Sequence, residues 1–106
     1  VLAATSHLPH MLAYSLVDTL ARLDDRAEIF RYAAGGFRDF TRIASSDPRM
    51  WHDICVANRE QLLEMIALFS ADLERLAQAI RDDDRAALLA VFQRAKRARD
   101  NLYLEG

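Results

Sequence analysis

From Trp51 to Ile80 the chain repeats one step. Trp51, Ile54, Asn58, Leu62, Met65, Phe69, Leu73, Leu76 and Ile80 follow each other by three and four residues without a break. That period places all nine on one face of an α-helix. Leu63, Ile66 and Ala77 widen the apolar stripe, while Glu60, Glu64, Asp72 and Arg75 fall outside it. Asp47 followed by Pro48 supplies an N-cap and a first helical residue, so the spacing predicts one helix from Pro48 to about Arg81. At 1.5 Å per residue, roughly 34 residues make about 50 Å of helix. A compact globule of a hundred residues has a radius of gyration near 13 Å and is only about 35 Å across. Such a helix must bend, protrude or lie along a partner, and a protruding end would leave an apolar row in water. The stripe therefore predicts an all-α chain whose long helix forms the interface of a homodimer, intertwined or side by side.

The rest of the chain agrees with that class. Val1 to about Leu23 has helical spacing, with Leu2, His10, Tyr14, Val17 and Leu20 near one stripe. Pro9 interrupts it, and two outcomes are open. The helix runs through with a kink, because Pro9 offers no N–H to the Thr5 carbonyl, or Ser6 caps a helix that starts there. Asp24-Asp25-Arg26 is a polar break, followed by a short helix from Ala27 to Ala34 with Ile29, Phe30 and Ala33 inward. Gly35 and Gly36 end that helix and form a corner, since glycine accepts positive φ without a steric cost. Phe37, Phe40 and Ile43 then recur at helical spacing and face a core. Asp82-Asp83-Asp84 is a turn whose last member caps a final helix, about Arg85 to Leu102, burying Leu88, Leu89, Phe92, Ala95 and Leu102. No β-rich run, repeat or low-complexity stretch occurs. Residues 1–106 read as a single all-α domain of five to six helices.

Composition removes several function classes. The 106 residues carry a net charge of −2, which offers no field for nucleic acid or an anionic membrane. No apolar run approaches the roughly 20 residues needed to span a bilayer. The first residues lack the basic and apolar regions of a signal peptide, and the chain opens on Val1 rather than Met, so a longer parent is expected. One cysteine permits no internal disulfide and fits a reducing compartment, which makes the cytoplasm the expected location. No G-x-G-x-x-G occurs, so the chain has no dinucleotide-binding fingerprint.

Three constellations bear chemistry. Arg38 and Arg42 sit four apart on one side of a short helix, able either to bind an anion or to be neutralised, Arg42 by Asp39. His7 and His10 share a face with Tyr14. The pair reads as packing histidines or as ligands, and the carbonyl freed by Pro9 is a partner for one of them. His7, His10, His52 and Cys55 are of the right chemical type for tetrahedral zinc. No loop typical of structural zinc joins the two pairs, however, and Cys55 lies beside Ile54 on the apolar face, so a buried inert thiol and no metal are expected. The basic residues Arg94, Lys96, Arg97 and Arg99 spread around most of a helix circumference near its C-terminal end, where they complement the dipole.

The string Gly35-Gly36-Phe37-Arg38-Asp39-Phe40-Thr41-Arg42-Ile43-Ala44-Ser45-Ser46-Asp47-Pro48-Arg49-Met50-Trp51 resembles the signature of the prephenate dehydrogenase family. Ala4-Thr5-Ser6-His7-Leu8-Pro9-His10 resembles that family's second hallmark. The two motifs come in the family's order, and with the helical pattern behind them the resemblance covers essentially the whole chain. It implies the C-terminal helical domain of an enzyme of tyrosine biosynthesis, one that oxidatively decarboxylates prephenate or arogenate with NAD or NADP. It implies further that Arg42 holds a substrate carboxylate and that His10 hydrogen-bonds an oxygen of the substrate's side chain. His7, Arg38, Asp39 and Trp51 support them, and Gly35 and Gly36 bring backbone near the substrate across the dimer interface. The nucleotide and the catalytic base belong to an N-terminal Rossmann domain outside this chain, so the chain alone is expected to be inactive and to bind no cofactor. A homodimer and the substrate are the implied partners, with tyrosine as an inhibitor. The competing reading, from a different class, is a non-catalytic helical dimerisation or adaptor module.

Overall fold

The computed structural model describes residues 1–23, 26–31 and 35–104. Among them every regular element is helical. A π-helical turn, Ala3–His7, leads into α1, Leu8–Ala21; then follow α2, Arg26–Arg31, and α3, Gly35–Thr41. A 3-10 turn, Arg42–Ser45, separates α3 from α4, Pro48–Ala57; α5, Arg59–Arg81, and α6, Arg85–Leu104, complete the chain. The contacts divide it into two compact units, Val1–Ile66 and Ala67–Gly106.

The first helix runs through Pro9, and Ser6 does not start it: no side-chain cap bond occurs at either helix start. The register loosens instead. The Leu8 N–H bonds the Ala3 carbonyl five residues back, which makes room for a proline ring just before α1 becomes regular. Ala13 is 0 % exposed and Ala3 is 4 % exposed, so the closest packing is made by small side chains rather than by the larger ones of the predicted stripe. Leu2, placed on that stripe by its spacing, is 64 % exposed.

Gly35 and Gly36 do not form the expected corner. Neither has a positive φ, and both belong to the first turn of α3. A Cβ added at either would meet nothing within 4 Å, so this chain alone gives no steric reason for glycine there. The expected helix from Ala27 to Ala34 is described as α2 as far as Arg31; Ala33 and Ala34 lie outside the described residues. Ile29, Phe30 and Phe37 are half-buried, and the rings of Phe30 and Phe37 stand 6.2 Å apart. Phe40, by contrast, is 45 % exposed. The helix tightens to 3-10, with three residues per turn, only after Thr41, so Phe40 is exposed within α3 itself.

The predicted single helix from Pro48 to Arg81 is broken at Asn58. Asp47 caps α4 as expected, its Oδ1 accepting from the Arg49 N–H at 3.0 Å. Asn58 then leaves helical geometry at φ −116° and ψ 38°, although its N–H still reaches the Ile54 carbonyl and its own carbonyl accepts from Leu62. The 23 residues of α5 are about 35 Å long. Length by itself therefore no longer demands a partner; exposure does. Trp51 and Leu62 are buried, and Met65 and Ile66 are half-buried. Further along the same stripe Phe69, Leu73 and Ile80 are 37 %, 53 % and 62 % exposed.

The turn between α5 and α6 follows the sequence closely. Asp83 takes φ 50°, its N–H bonds the Ile80 carbonyl, and the Asp84 N–H bonds that of Ala79. Together these form a Schellman motif with an aspartate where glycine is usual. Asp84 caps α6 through the Ala87 N–H at 3.1 Å. The expected burial along α6 is not found, because Leu89, Phe92, Ala95 and Leu102 are exposed and only Leu88 of that set is half-buried. Between residues 67 and 104 no described side chain is buried.

Candidate functional site

His7, the last residue of the π-helical turn, and His10 and Tyr14 of α1 follow at i, i+3 and i+7. Each is tied down. The His10 Nδ1 lies 2.8 Å from the Ser6 carbonyl, which can only accept, so this nitrogen carries a proton and Nε2 is left for another partner. Sequence reasoning assigned the Thr5 carbonyl to a histidine; the acceptor is one residue further on, because the π turn shifts the register. His10 also stacks on Trp51, with ring centroids 3.8 Å apart and planes 20° from parallel. His7 meets the same indole edge-on, at 5.8 Å and 81°. Its Nδ1 stands 3.1 Å from Asn58 Nδ2, a donor, so that nitrogen accepts. Trp51 is 7 % exposed, and its Nε1–H finds no acceptor among the described residues. Burial and the two ring contacts hold the indole in place.

The 3-10 turn carrying Arg42 packs against α1, as does α3. Tyr14 donates its hydroxyl to the Ser46 carbonyl at 2.7 Å. Ser46 closes the turn with two bonds of its own, its N–H and its Oγ both reaching the Ile43 carbonyl. Thr41 ends α3 by donating Oγ1 to the Phe37 carbonyl at 2.7 Å.

Arg38 and Arg42 are exposed, and neither has a carboxylate partner among the described residues. The Asp39–Arg42 ion pair, the neutralised alternative read from the sequence, is not formed. Elsewhere arginines do pair locally, as Arg22 with Asp18, Arg75 with Asp72 and Arg85 with Asp83. An unpaired guanidinium on a braced turn is free to offer its two parallel N–H groups to a planar carboxylate.

The structure thus brings His7, His10 and Trp51 together and sets Arg42 on a turn against the same helix. Gly35 and Gly36 stand apart from this cluster, exposed at the start of α3. The four residues considered for zinc have separate partners: His52 Nδ1 faces Asp53, and Cys55 Sγ lies 3.4 Å from Met11 Sδ. Among the described residues no three metal-ligating side chains of the His, Cys, Asp and Glu types converge. Cys55 is half-buried and lines a cavity of about 220 Å³ with Met11, Tyr14, Pro48, Trp51 and His52. Two contributors escaped sequence reasoning. Asn58 had a visible signal, being the polar residue in an apolar series; Ser46 acts through its carbonyl and left none.

Residues 1–94 match the family model described as prephenate dehydrogenase, dimerization domain. The chain belongs to this family. It is 46 % identical over 101 residues to the cyclohexadienyl dehydrogenase of Zymomonas mobilis, covering 93 % of this chain and 34 % of that protein. The prephenate dehydrogenase of A. aeolicus, solved in complex with hydroxyphenyl propionate and NAD+, superposes with a TM-score of 0.88 at 39 % identity. That match covers 96 % of this chain and 36 % of the other. Arogenate dehydrogenase from Synechocystis gives a TM-score of 0.87 at 25 % identity, over 94 % of this chain and 37 % of that one. The chain therefore spans about a third of the length of these relatives.

Proposed function

We propose that residues 1–106 form the dimerising, substrate-binding C-terminal domain of a cytoplasmic enzyme that oxidatively decarboxylates prephenate or arogenate, with NAD or NADP as hydride acceptor. Arg42 is the observation that carries this reading. It is a cation without a carboxylate partner among the described residues, on a turn braced against the helix that holds His10. Prephenate is a dicarboxylate, and a guanidinium fork meets one carboxylate with two charge-assisted bonds. His10, with Nδ1 committed to Ser6, turns Nε2 toward an oxygen of the substrate's side chain. As hydride leaves the ring carbinol carbon, the ring carboxylate departs as CO2 and its bonding electrons complete the aromatic ring. This domain contributes binding and orientation to that step, effects that can be large.

The described residues contain no strand and no glycine-rich loop leading into a helix, so they do not fit a dinucleotide's pyrophosphate. The nucleotide is assigned to a part of the enzyme outside this chain. Dimerisation is supported by the apolar side chains left in water beyond residue 66. A cavity of about 370 Å³ opens there, lined by Phe69, Leu73 and Leu76 of α5 and by Ala87 and Val91 of α6. Tyrosine is proposed as an inhibitor of the enzyme. No helix among the described residues is long and apolar enough to cross a membrane.

Titrating prephenate into the isotope-labelled chain tests the site directly. The Arg42 side-chain and His10 ring resonances should move together and saturate. Saturable shifts that bypass both residues would remove them from the site, and the absence of any saturable shift would leave the adaptor reading standing.

A further inference from the structure

We infer that Tyr14 is a positioning residue for the carboxylate site: its bond to the Ser46 carbonyl sets the separation of Arg42 from His10. The inference rests on the reading of Arg42 and His10 given above and adds to it the part that fixes their spacing.

The geometry is a strap between two elements. On α1, Tyr14 lies one turn beyond His10 on the same face, about 6 Å along the axis. On the other side, Ser46 lies four residues beyond Arg42 and leaves the 3-10 turn in an extended conformation, φ −75° and ψ 167°. The Tyr14 hydroxyl joins the two at 2.7 Å across 32 residues of sequence. Ser46 is not a loose anchor, since its N–H and Oγ hold the Ile43 carbonyl at 3.2 and 2.7 Å. Position therefore passes from α1 through Tyr14 to Ser46, on to Ile43, and so to Arg42 beside it. At the other flank of His10, His7 accepts from Asn58, and Trp51 covers the His10 ring. One face of α1 is thus fixed on both sides of the histidine, and its C-terminal tie leads to the arginine.

Arg42 itself makes no bond to a described carboxylate that could hold it in place. Its location depends on its backbone, and its backbone depends on the turn. A dicarboxylate held at both ends has a fixed length, so a small drift in the turn weakens one contact without disturbing the other. Binding that requires two groups at a set distance is sensitive to displacements of this size.

The test is Tyr14→Phe in the full-length enzyme, alone and combined with Arg42→Ala. Phenylalanine keeps the ring packed and removes only the donor. The single variant should raise KM for prephenate about three- to tenfold, the scale of one hydrogen bond, with kcat within about twofold. In the Arg42→Ala background the same change should leave KM within about twofold, because the group being positioned is gone. Thermal melts of all variants should stay cooperative. An unchanged KM for Tyr14→Phe, with Arg42→Ala strongly impaired, overturns this inference and spares the site. Equal fold-changes in both backgrounds would make Tyr14 a general structural residue and also overturn it. An unchanged KM for Arg42→Ala sinks the site reading and this inference together.

Discussion

At the scale of single residues, the site depends on which polar groups are already satisfied. His10 has spent Nδ1 on the Ser6 carbonyl, and His7 has used its own Nδ1 to accept from Asn58. Arg42 has spent nothing on a described carboxylate. Replacing it by Ala in the full-length enzyme should raise KM for the dicarboxylate substrate by one to two orders of magnitude. A charge-assisted carboxylate contact is worth about 1.5–3 kcal/mol, and each 1.4 kcal/mol is tenfold. Where the contact is equal in ground and transition states, kcat is preserved. Lysine should rescue only in part, because it brings a point charge without the planar fork. Arg42 is exposed and unpaired within the described chain, so the melt should shift by no more than about 0.5 kcal/mol of stability. Steady-state kinetics with a thermal melt on the same variant checks both statements.

At the scale of elements, aspartate and proline mark the starts of α4 and α6 and the turn between α5 and α6. Asp47 and Asp84 cap α4 and α6, and Pro48 starts α4, all readable in advance because capping is a local bond between neighbours. Asp83 fills a left-handed position at φ 50° that glycine occupies more cheaply. Asp83→Gly should therefore stabilise the α5–α6 turn, by at most about 1 kcal/mol once the greater freedom of glycine in the unfolded chain is counted. The exposed ion pair of Asp83 with Arg85 offsets little of this gain. Chemical denaturation reads the change, and a loss of stability would show that the aspartate makes more of this turn than its geometry indicates. Other element features were not legible. The break at Asn58 depends on a histidine 51 residues away that draws the amide side chain. The 3-10 turn at Arg42 is held by a tyrosine hydroxyl from another helix.

At the scale of the molecule, the unit from Ala67 onward has no buried described side chain, while Leu73, Ile80, Leu89 and Phe92 are each more than half exposed. Two helices without a core are not stable on their own terms, since helices in proteins draw their stability from burying an apolar face. A second copy is the proposed source of that burial. The chain should sediment as a dimer at about tens of micromolar. Leu73→Asp and Phe92→Asp should shift it to monomer with helical content retained, because both side chains already face water within one chain. A monomeric parent chain with all its helices intact would contradict this. The all-α class, the caps and the motifs with Arg42 and His10 were written in the sequence, because each rests on residues a few positions apart. The break at Asn58, the unformed Asp39–Arg42 pair, the helical glycines and the exposure of α6 were decided by tertiary structure. These depend on which distant group, or which other chain, completes an apolar face or a hydrogen bond, and helical periodicity carries no record of that.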